Sequence, residues 1–244
     1  MFKNKKLIIV IPAYNAENTL AKTVSEIPKG VVDRIILTDD GSMDNTGIIA
    51  RKLEILTFTH DQNRGYGAAM KTCFTKALEL NPNIIVVLHS DNQYEPKLIN
   101  QMASIIDEGV YDVVLASRML DKDVFKIMPF YRYVANKILT FIQNLIFGYK
   151  LTEYHTGYRA YNANVLRNVS YLKNSNDFVF DNELLTQIFF NKFKVTEILC
   201  PTVYNLETSS ISITKSFKYF FGVLTTSLKY LLHKLKLKKY YILS

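Results

Sequence analysis

The chain of 244 residues has no tryptophan, two cysteines and six prolines. Cys73 and Cys200 are too few and too far apart for a disulfide framework or a zinc site, so a reducing compartment is expected. No apolar run approaches the roughly 20 residues that a bilayer span requires. Lys3, Lys5 and Lys6 precede an apolar run, but Pro12, Tyr14 and Asn15 interrupt it and no small-residue cleavage site follows, which argues against a secretory leader. These shortages together point to the cytoplasm. Acid is missing locally: none follows Glu207, whereas Lys215, Lys218, Lys229, Lys234, Lys236, Lys238 and Lys239 lie beyond it. Setting those seven aside leaves 23 of the 30 basic residues against 22 acids, so the formal charge of +8 belongs to the tail. A neutral body with a basic tail points to an anionic surface, either nucleic acid or lipid head groups.

What is present is alternation. Apolar, β-branched runs at residues 7–11, 34–38, 55–59, 84–88 and 113–116 predict strands. Helices are expected between them, at about 15–27, 68–80 and 95–107, and residues 195–199 read as a further strand at an edge. Strands and helices in strict turn require right-handed crossovers and a mostly parallel α/β sheet whose loops gather on one edge. The length allows one such catalytic unit with an appendage.

The polar residues sit where those strands end. Residues 84–88 run apolar into His89, Ser90, Asp91, Asn92 and Gln93. Ligands of open α/β sheets lie outside the carboxyl ends of strands, which makes Asp91 pivotal. Its carboxylate and the Gln93 carbonyl are oxygen ligands suited to Mg²⁺ or Mn²⁺ beside a substrate diphosphate. The alternative is a loop acid that caps the next helix. Asp39, Asp40 and Asp44 crowd another strand end, where they either cap a helix or hold a ligand. Gly65 and Gly67 allow close backbone approach at a helix start, a natural phosphate seat. Arg118 closes the last strand of this half.

In the second half, Val134, Ile138, Phe141, Ile142 and Leu145 recur at helical spacing, with Lys137, Thr140 and Asn144 towards the other side. Either an amphipathic surface helix or a buried core helix fits. Residues 153–161 mix polar and aromatic groups around one glycine and read as a pocket wall. Phe217, Phe220, Phe221, Leu224, Leu228, Leu231, Leu232 and Leu235 fill one arc of a tail helix, with lysines towards the other side. That pattern fits a membrane surface, or else a helix packed on the body with a solvated lysine face. An apolar arc of this size is not explained by phosphate contacts, so nucleic acid is set aside. Anionic lipid is favoured, with attachment peripheral.

Several segments together carry a resemblance: Ile11-Pro12-Ala13-Tyr14-Asn15, the run from Thr38 to Thr46, Asn63-Arg64-Gly65, the Asp91 loop, Ser117-Arg118 and Thr156-Gly157-Tyr158-Arg159. In this order they resemble the family 2 glycosyltransferases, and in particular their dolichyl- or polyprenyl-phosphate sugar synthase branch. The resemblance implies a GT-A, Rossmann-like nucleotide-sugar domain over residues 1–210, a basic amphipathic tail over 211–244, and a divalent metal, Mg²⁺ or Mn²⁺. It also implies an inverting transfer from a UDP- or GDP-linked sugar to a polyprenyl phosphate at the inner face of the membrane. Pro12, Ala13, Tyr14 and Glu17 would then form the nucleoside wall, with Asp40 near base or ribose and Gly65 near the diphosphate. Asp91 and Gln93 would bind the metal. Arg118, Arg132 and Arg159 would receive the acceptor phosphate, and Glu153 would orient sugar or acceptor. Two positions depart from the pattern: His89 stands in the usual D-x-D motif where aspartate is expected, and Ala16 replaces a common glutamate. Neutral histidine binds Mn²⁺ but suits Mg²⁺ poorly, which makes His89 a third candidate ligand. Two other readings stay open. One is transfer to a saccharide of a cell-envelope glycan, with Asp181 or Glu153 as base or His155 in their place; the other is a non-catalytic nucleotide-sugar or lipid-binding relative.

Overall fold

Strands that are apolar at every position must be covered on both faces, and β1 (Leu7–Ala13) and β4 (Ile84–Val87) are buried throughout. Five further strands complete the sheet: β2 (Arg34–Asp39), β3 (Leu56–Thr59), β5 (Val113–Ser117), β6 (Arg159–Asn162) and β7 (Val195–Leu199). The computed structural model describes residues 5–201 and 213–243. The expected division at 210/211, Lys3, Glu207 and the side chain of Lys215 lie outside the described residues.

The spatial order is β3-β2-β1-β4-β6-β5-β7. All neighbours pair in parallel except at β6, which runs antiparallel to both β4 and β5. The sheet is thus mostly parallel, as expected, and β7 is an edge strand. The pocket wall read at 153–161 is corrected in part, because its last residues are the reversed strand β6. Four residues led by an arginine carry no periodic signal, and β6 is a strand because it fills the gap between β4 and β5. Its reversal matters for function: the segment that precedes it emerges at the same sheet edge as the ends of β1, β2, β4 and β5.

The period-2 alternation of β1 divides the core. Ile8 and Val10 face helices α3 (Tyr66–Glu79) and α8 (Phe180–Phe190), through Met70, Phe74, Phe180 and Leu184. Leu7, Ile9 and Ile11 face α1 (Leu20–Ser25), α2 (Thr46–Lys52) and α4 (Leu98–Asp107), through Leu20, Ala50, Ile99 and Met102. The first helix is shorter than expected because the preceding loop is tied to the next one: Ser42 Oγ accepts from the Asn15 amide at 2.9 Å and Thr46 Oγ1 from the Ala16 amide at 2.7 Å.

The remaining helices are α5 (Val124–Ile127), α6 (Phe130–Phe147), α7 (Ala163–Asn168) and α9 (Ile213–Lys234). Two of these invert the usual amphipathic arrangement. Helix α6 buries Asn136, Thr140 and Gln143 along with Leu139 and Phe147, and it exposes Ile138, Phe141 and Leu145. Helix α9 packs on α6 and α8 through Val223, Thr226, Ser227 and Tyr230, with Gly222 seated against Val179. Its Phe217, Phe221 and Leu228 remain 63%, 62% and 53% exposed. The tail helix does pack on the body, through a side that mixes Val223 and Tyr230 with small and polar residues; of its apolar arc, Phe220, Leu224, Leu231 and Leu232 are half-buried and the others face outward. Among the described residues no helix is long and apolar enough to cross a membrane.

Candidate active site

The loop after β1 is the first wall of the site. Pro12 and Ala13 are buried and Tyr14 stands half exposed. The Glu17 amide donates to Asp44 Oδ2 at 3.0 Å, while the Glu17 carboxylate accepts from the Asn45 amide at 3.1 Å and from Asn45 Nδ2 at 2.8 Å. Asp44 also accepts from the amide and hydroxyl of Thr46, and although burial raises its pKa, these bonds hold it below the ordinary value. Glu17 and Asp44 therefore tie two loops together.

Asp40 is buried, and both of its oxygens are engaged. Oδ1 accepts from the Arg64 amide at 3.0 Å and meets His60 Nδ1 at 2.6 Å, while Oδ2 accepts from the Gly65 amide at 2.8 Å. These bonds give Asp40, at the start of the loop after β2, a role in fixing the 64–65 turn. The phosphate seat expected at Gly65 and Gly67 is corrected on the same ground. The Gly65 amide is held by Asp40, and the Gly67 amide donates to the Asn176 carbonyl at 2.9 Å. A Cβ on Gly65, at φ +99°, would meet that carbonyl oxygen, and one on Gly67 would meet the Ser175 carbonyl oxygen. Close approach is what these glycines provide, but to the chain's own 175–176 segment, which Lys71 also grips through Asn174 and Asn176.

At the end of β4, Ser90 anchors the Asp91 loop: its hydroxyl donates to the Pro12 carbonyl at 3.3 Å, and its carbonyl accepts from Thr19 Oγ1 at 2.6 Å. Asp91 Oδ1 accepts from the Gln93 amide at 3.2 Å. His89 Nε2 lies 3.2 Å from the Tyr66 hydroxyl, which donates to Asp181 Oδ2 at 2.8 Å. Burial holds the His89 pKa below the ordinary 6.5, against the attraction of Asp91 and Asp181. Gly157 leaves room for the ring, since a Cβ there would overlap His89 Cε1 and Nε2.

Opposite this loop, the end of β5 presents Arg118. Glu153, wholly buried, accepts from the Arg118 amide at 2.8 Å, forms an ion pair with its guanidinium, and accepts from Asn136 Nδ2 at 3.1 Å. Burial raises the Glu153 pKa, but Arg118 outweighs it and holds the carboxyl below its ordinary value. The roles expected for Glu153, as base or as a contact to sugar or acceptor, are corrected: an inaccessible, triply bonded carboxylate positions Arg118 instead. Arg159 is corrected likewise. It is fully buried, and its three nitrogens donate to the carbonyls of Thr156, Asp181 and Tyr154 at 2.7, 2.8 and 3.0 Å. It braces the sheet edge and does not reach an acceptor phosphate. Asp181, considered as a hydroxyl base, is engaged by Tyr66. Arg132 lies in the first turn of α6, half-buried, with Nε donating to the Tyr131 hydroxyl at 3.1 Å.

Sequence reasoning missed Tyr66, Asn136 and the 174–176 segment. Tyr66 was flanked by the two singled-out glycines, a signal available in the sequence. Among the described residues no group of three or more His, Cys, Asp or Glu forms a metal cage. Asp91 and His89, two residues apart at one strand end, nevertheless fit a divalent cation that takes its remaining ligands from a diphosphate.

Comparison with known proteins accords with this geometry. The family model described as Glycosyl transferase family 2 matches residues 8–170. The UDP-N-acetylglucosamine–dolichyl-phosphate N-acetylglucosaminyltransferase of Methanococcus voltae is 30% identical over 240 residues, covering 91% of this chain and 96% of that protein. The polyprenol monophosphomannose synthase of Mycolicibacterium smegmatis is 25% identical over 202 residues, 80% of this chain and 76% of that one. In fold, the chain is similar to the crystal structure of glucosyl-3-phosphoglycerate synthase from Mycobacterium tuberculosis in complex with UDP. That match has a TM-score of 0.72 and 17% identity and covers 94% of this chain and 81% of that chain.

Proposed function

Because this chain belongs to glycosyl transferase family 2, in the branch of its dolichyl- and polyprenyl-phosphate relatives, we propose that it moves one sugar from a nucleotide sugar to a polyprenyl phosphate at a membrane surface. The observation that carries the lipid acceptor is the inversion of α6 and α9. Burying polar side chains while leaving a row of large apolar ones in water is unfavourable for an isolated protein, and such a patch marks a contact surface. Both helices adjoin the site: Asn136 of α6 bonds Glu153, and Tyr219 of α9 meets His155 Nδ1 at 2.9 Å. Phe141 and Leu145 on α6 and Phe217 and Phe221 on α9 would enter the lipid, with the exposed Lys234, Lys236, Lys238 and Lys239 on anionic head groups at the cytoplasmic face.

In this reading the loops after β1 and β2 receive the nucleoside, UDP or GDP, with Tyr14 exposed beside them. Asp91 and His89, with the nearby Gln93, would hold Mg²⁺ or Mn²⁺, which when bound neutralises charge on the departing diphosphate. Arg118, held in place by Glu153, and Arg132 receive the acceptor phosphate, for which a guanidinium offers bidentate hydrogen bonds. A lipid phosphate is already anionic at neutral pH and needs positioning more than a strong base, which agrees with the engagement of Glu153 and Asp181 inside the protein.

The test is product formation by the purified protein with Mn²⁺ or Mg²⁺, a panel of nucleotide sugars and a short-chain polyprenyl phosphate. A lipid-linked sugar is the expected product. Transfer to saccharide acceptors without transfer to lipid would overturn the proposal. For the membrane face, the triple variant Phe217→Ser, Phe221→Ser, Leu228→Ser is expected to bind phosphatidylglycerol-containing vesicles more weakly by about a thousandfold or more, since each buried Phe or Leu contributes roughly 1.5–3 kcal/mol. Its circular dichroism should be unchanged, because all three side chains point away from the body. Undiminished co-sedimentation would remove this face from the proposal.

A further inference from the structure

His89 stands two residues before Asp91, just past the end of β4, and the structure surrounds it in a way a filler residue would not need. Its ring is enclosed by Tyr66 and Tyr94, with ring centroids 5.6 and 5.4 Å away, both edge-on. On the third side is Gly157, where an added Cβ would overlap Cε1 and Nε2 and lie 3.4 Å from Nδ1. The ring therefore has little rotational freedom, and its Nε2 is committed to Tyr66.

The proton count along the chain His89–Tyr66–Asp181 fixes the tautomer. Tyr66 has one hydroxyl proton, and it is donated to the carboxylate oxygen of Asp181 at 2.8 Å. The 3.2 Å contact to His89 Nε2 must then run the other way, with Nε2–H as donor and the Tyr66 oxygen as acceptor. An imidazole that binds a cation through one nitrogen keeps its single proton on the other, so with Nε2–H committed to Tyr66 the coordinating lone pair is on Nδ1. Asp181 is itself fixed, because its main-chain carbonyl accepts from Arg159 Nη1 at 2.8 Å. Metal-binding histidines characteristically donate the second ring nitrogen to a carboxylate or a polar oxygen, which orients the ring and raises its basicity.

We propose that Tyr66, backed by Asp181, is a positioning residue that fixes His89 as an Nδ1 ligand, so that the site holds its divalent cation through one imidazole and the Asp91 carboxylate. This rests on the glycosyltransferase reading and deepens it. The consequence is selectivity: replacing a hard oxygen by imidazole nitrogen favours Mn²⁺ over Mg²⁺ relative to a site with two carboxylates.

The experiment is electron spin echo envelope modulation of Mn²⁺ bound to the full chain with uridine diphosphate or guanosine diphosphate, without acceptor. The wild-type spectrum is expected to show imidazole ¹⁴N modulation, absent in His89→Gln. Tyr66→Phe keeps the ring packing and removes the hydroxyl; it is expected to weaken Mn²⁺ binding about tenfold or more, as outer-shell changes do, and to alter the ¹⁴N coupling. His89→Asp is expected to shift the Mn²⁺-to-Mg²⁺ affinity ratio towards Mg²⁺. Mn²⁺ bound with no ¹⁴N modulation would overturn the ligand assignment while leaving sugar transfer intact as a reading. A Tyr66→Phe spectrum and affinity equal to wild type would overturn the relay, and failure of either nucleotide to retain Mn²⁺ on the wild-type protein would overturn the proposal entirely. The spectra are taken without acceptor, so they stand apart from the product assay.

Discussion

Asp91→Ala is expected to lower the rate of lipid-linked sugar formation about a thousandfold while leaving the fold in place, since losing one electrostatic group at a reacting centre typically costs 10²–10³-fold or more. The two halves of that expectation have separate causes. The loop is held by its neighbour: Ser90 bonds Pro12 and Thr19 through its hydroxyl and carbonyl, and neither contact involves the Asp91 side chain. The contact described for the carboxylate itself is a bond from the Gln93 amide at 3.2 Å, long enough to be weak. Truncation should therefore move the unfolding free energy by less than about 1 kcal/mol. Catalysis is another matter, because at the end of β4 this carboxylate is the negative group on the protein's side of the expected cation. Turnover and urea unfolding of Asp91→Ala and Asp91→Asn, measured together, check both halves. A variant that is stable and retains turnover within tenfold of wild type would take Asp91 out of the site.

How much of this was legible in the sequence follows the range of the interaction. β1 and β4 could be read because all-apolar, β-branched runs of that length have few other uses, and the alternation with helices fixed the parallel sheet and the edge where its loops meet. Asp91 and Arg118 came with that edge. The hydrophobic periods of α6 and α9 were equally clear, but periodicity defines a stripe and not the direction in which it points; the small residues Gly222, Thr226 and Ser227 decide that by letting α9 sit close to its neighbours. What stayed hidden were pairings across the chain. Arg118 and Glu153 are 35 residues apart, and Tyr66 and Asp181 are 115 apart. Gly67 meets Asn176 across a comparable gap. Acids singled out as catalytic candidates thus proved to be the partners of other site residues, and a buried arginine read as a phosphate ligand proved to be bonded to carbonyls. Such assignments depend on β6 running backwards, for which four residues give no local signal.

Removing the Glu153 carboxylate is expected to be the most damaging single change to stability in this region. Glu153→Ala would remove the carboxylate paired with the Arg118 guanidinium in a largely buried setting, and would strip acceptors from the Arg118 amide and Asn136. Breaking a buried ion pair from one side costs about 3–5 kcal/mol. Glu153→Gln keeps the shape and one acceptor oxygen, so it should cost less in stability yet still misplace Arg118 and raise the apparent KM for the polyprenyl phosphate. The same pair predicts a pH dependence. Glu153 is held below its ordinary 4.5 in the fold, so the stability it contributes is complete above that value and is lost as pH falls through the lower folded pKa. His155 acts in the range above: burial pushes its pKa down to about 4 from the ordinary 6.5, so between those values the unfolded chain takes up a proton that the folded one refuses. Stability is therefore expected to be level near pH 7, to decline below about 6.5, and to fall more steeply below about 4.5. Urea unfolding at pH 7.5, 5.5 and 4.2 measures the profile, and His155→Gln is expected to flatten its upper part while leaving the lower part in place. A wild-type profile that stays flat from pH 7.5 to 5 would mean that His155 titrates normally. Equal stability of Glu153→Ala and wild type at pH 7 would mean that Arg118 finds its place without Glu153.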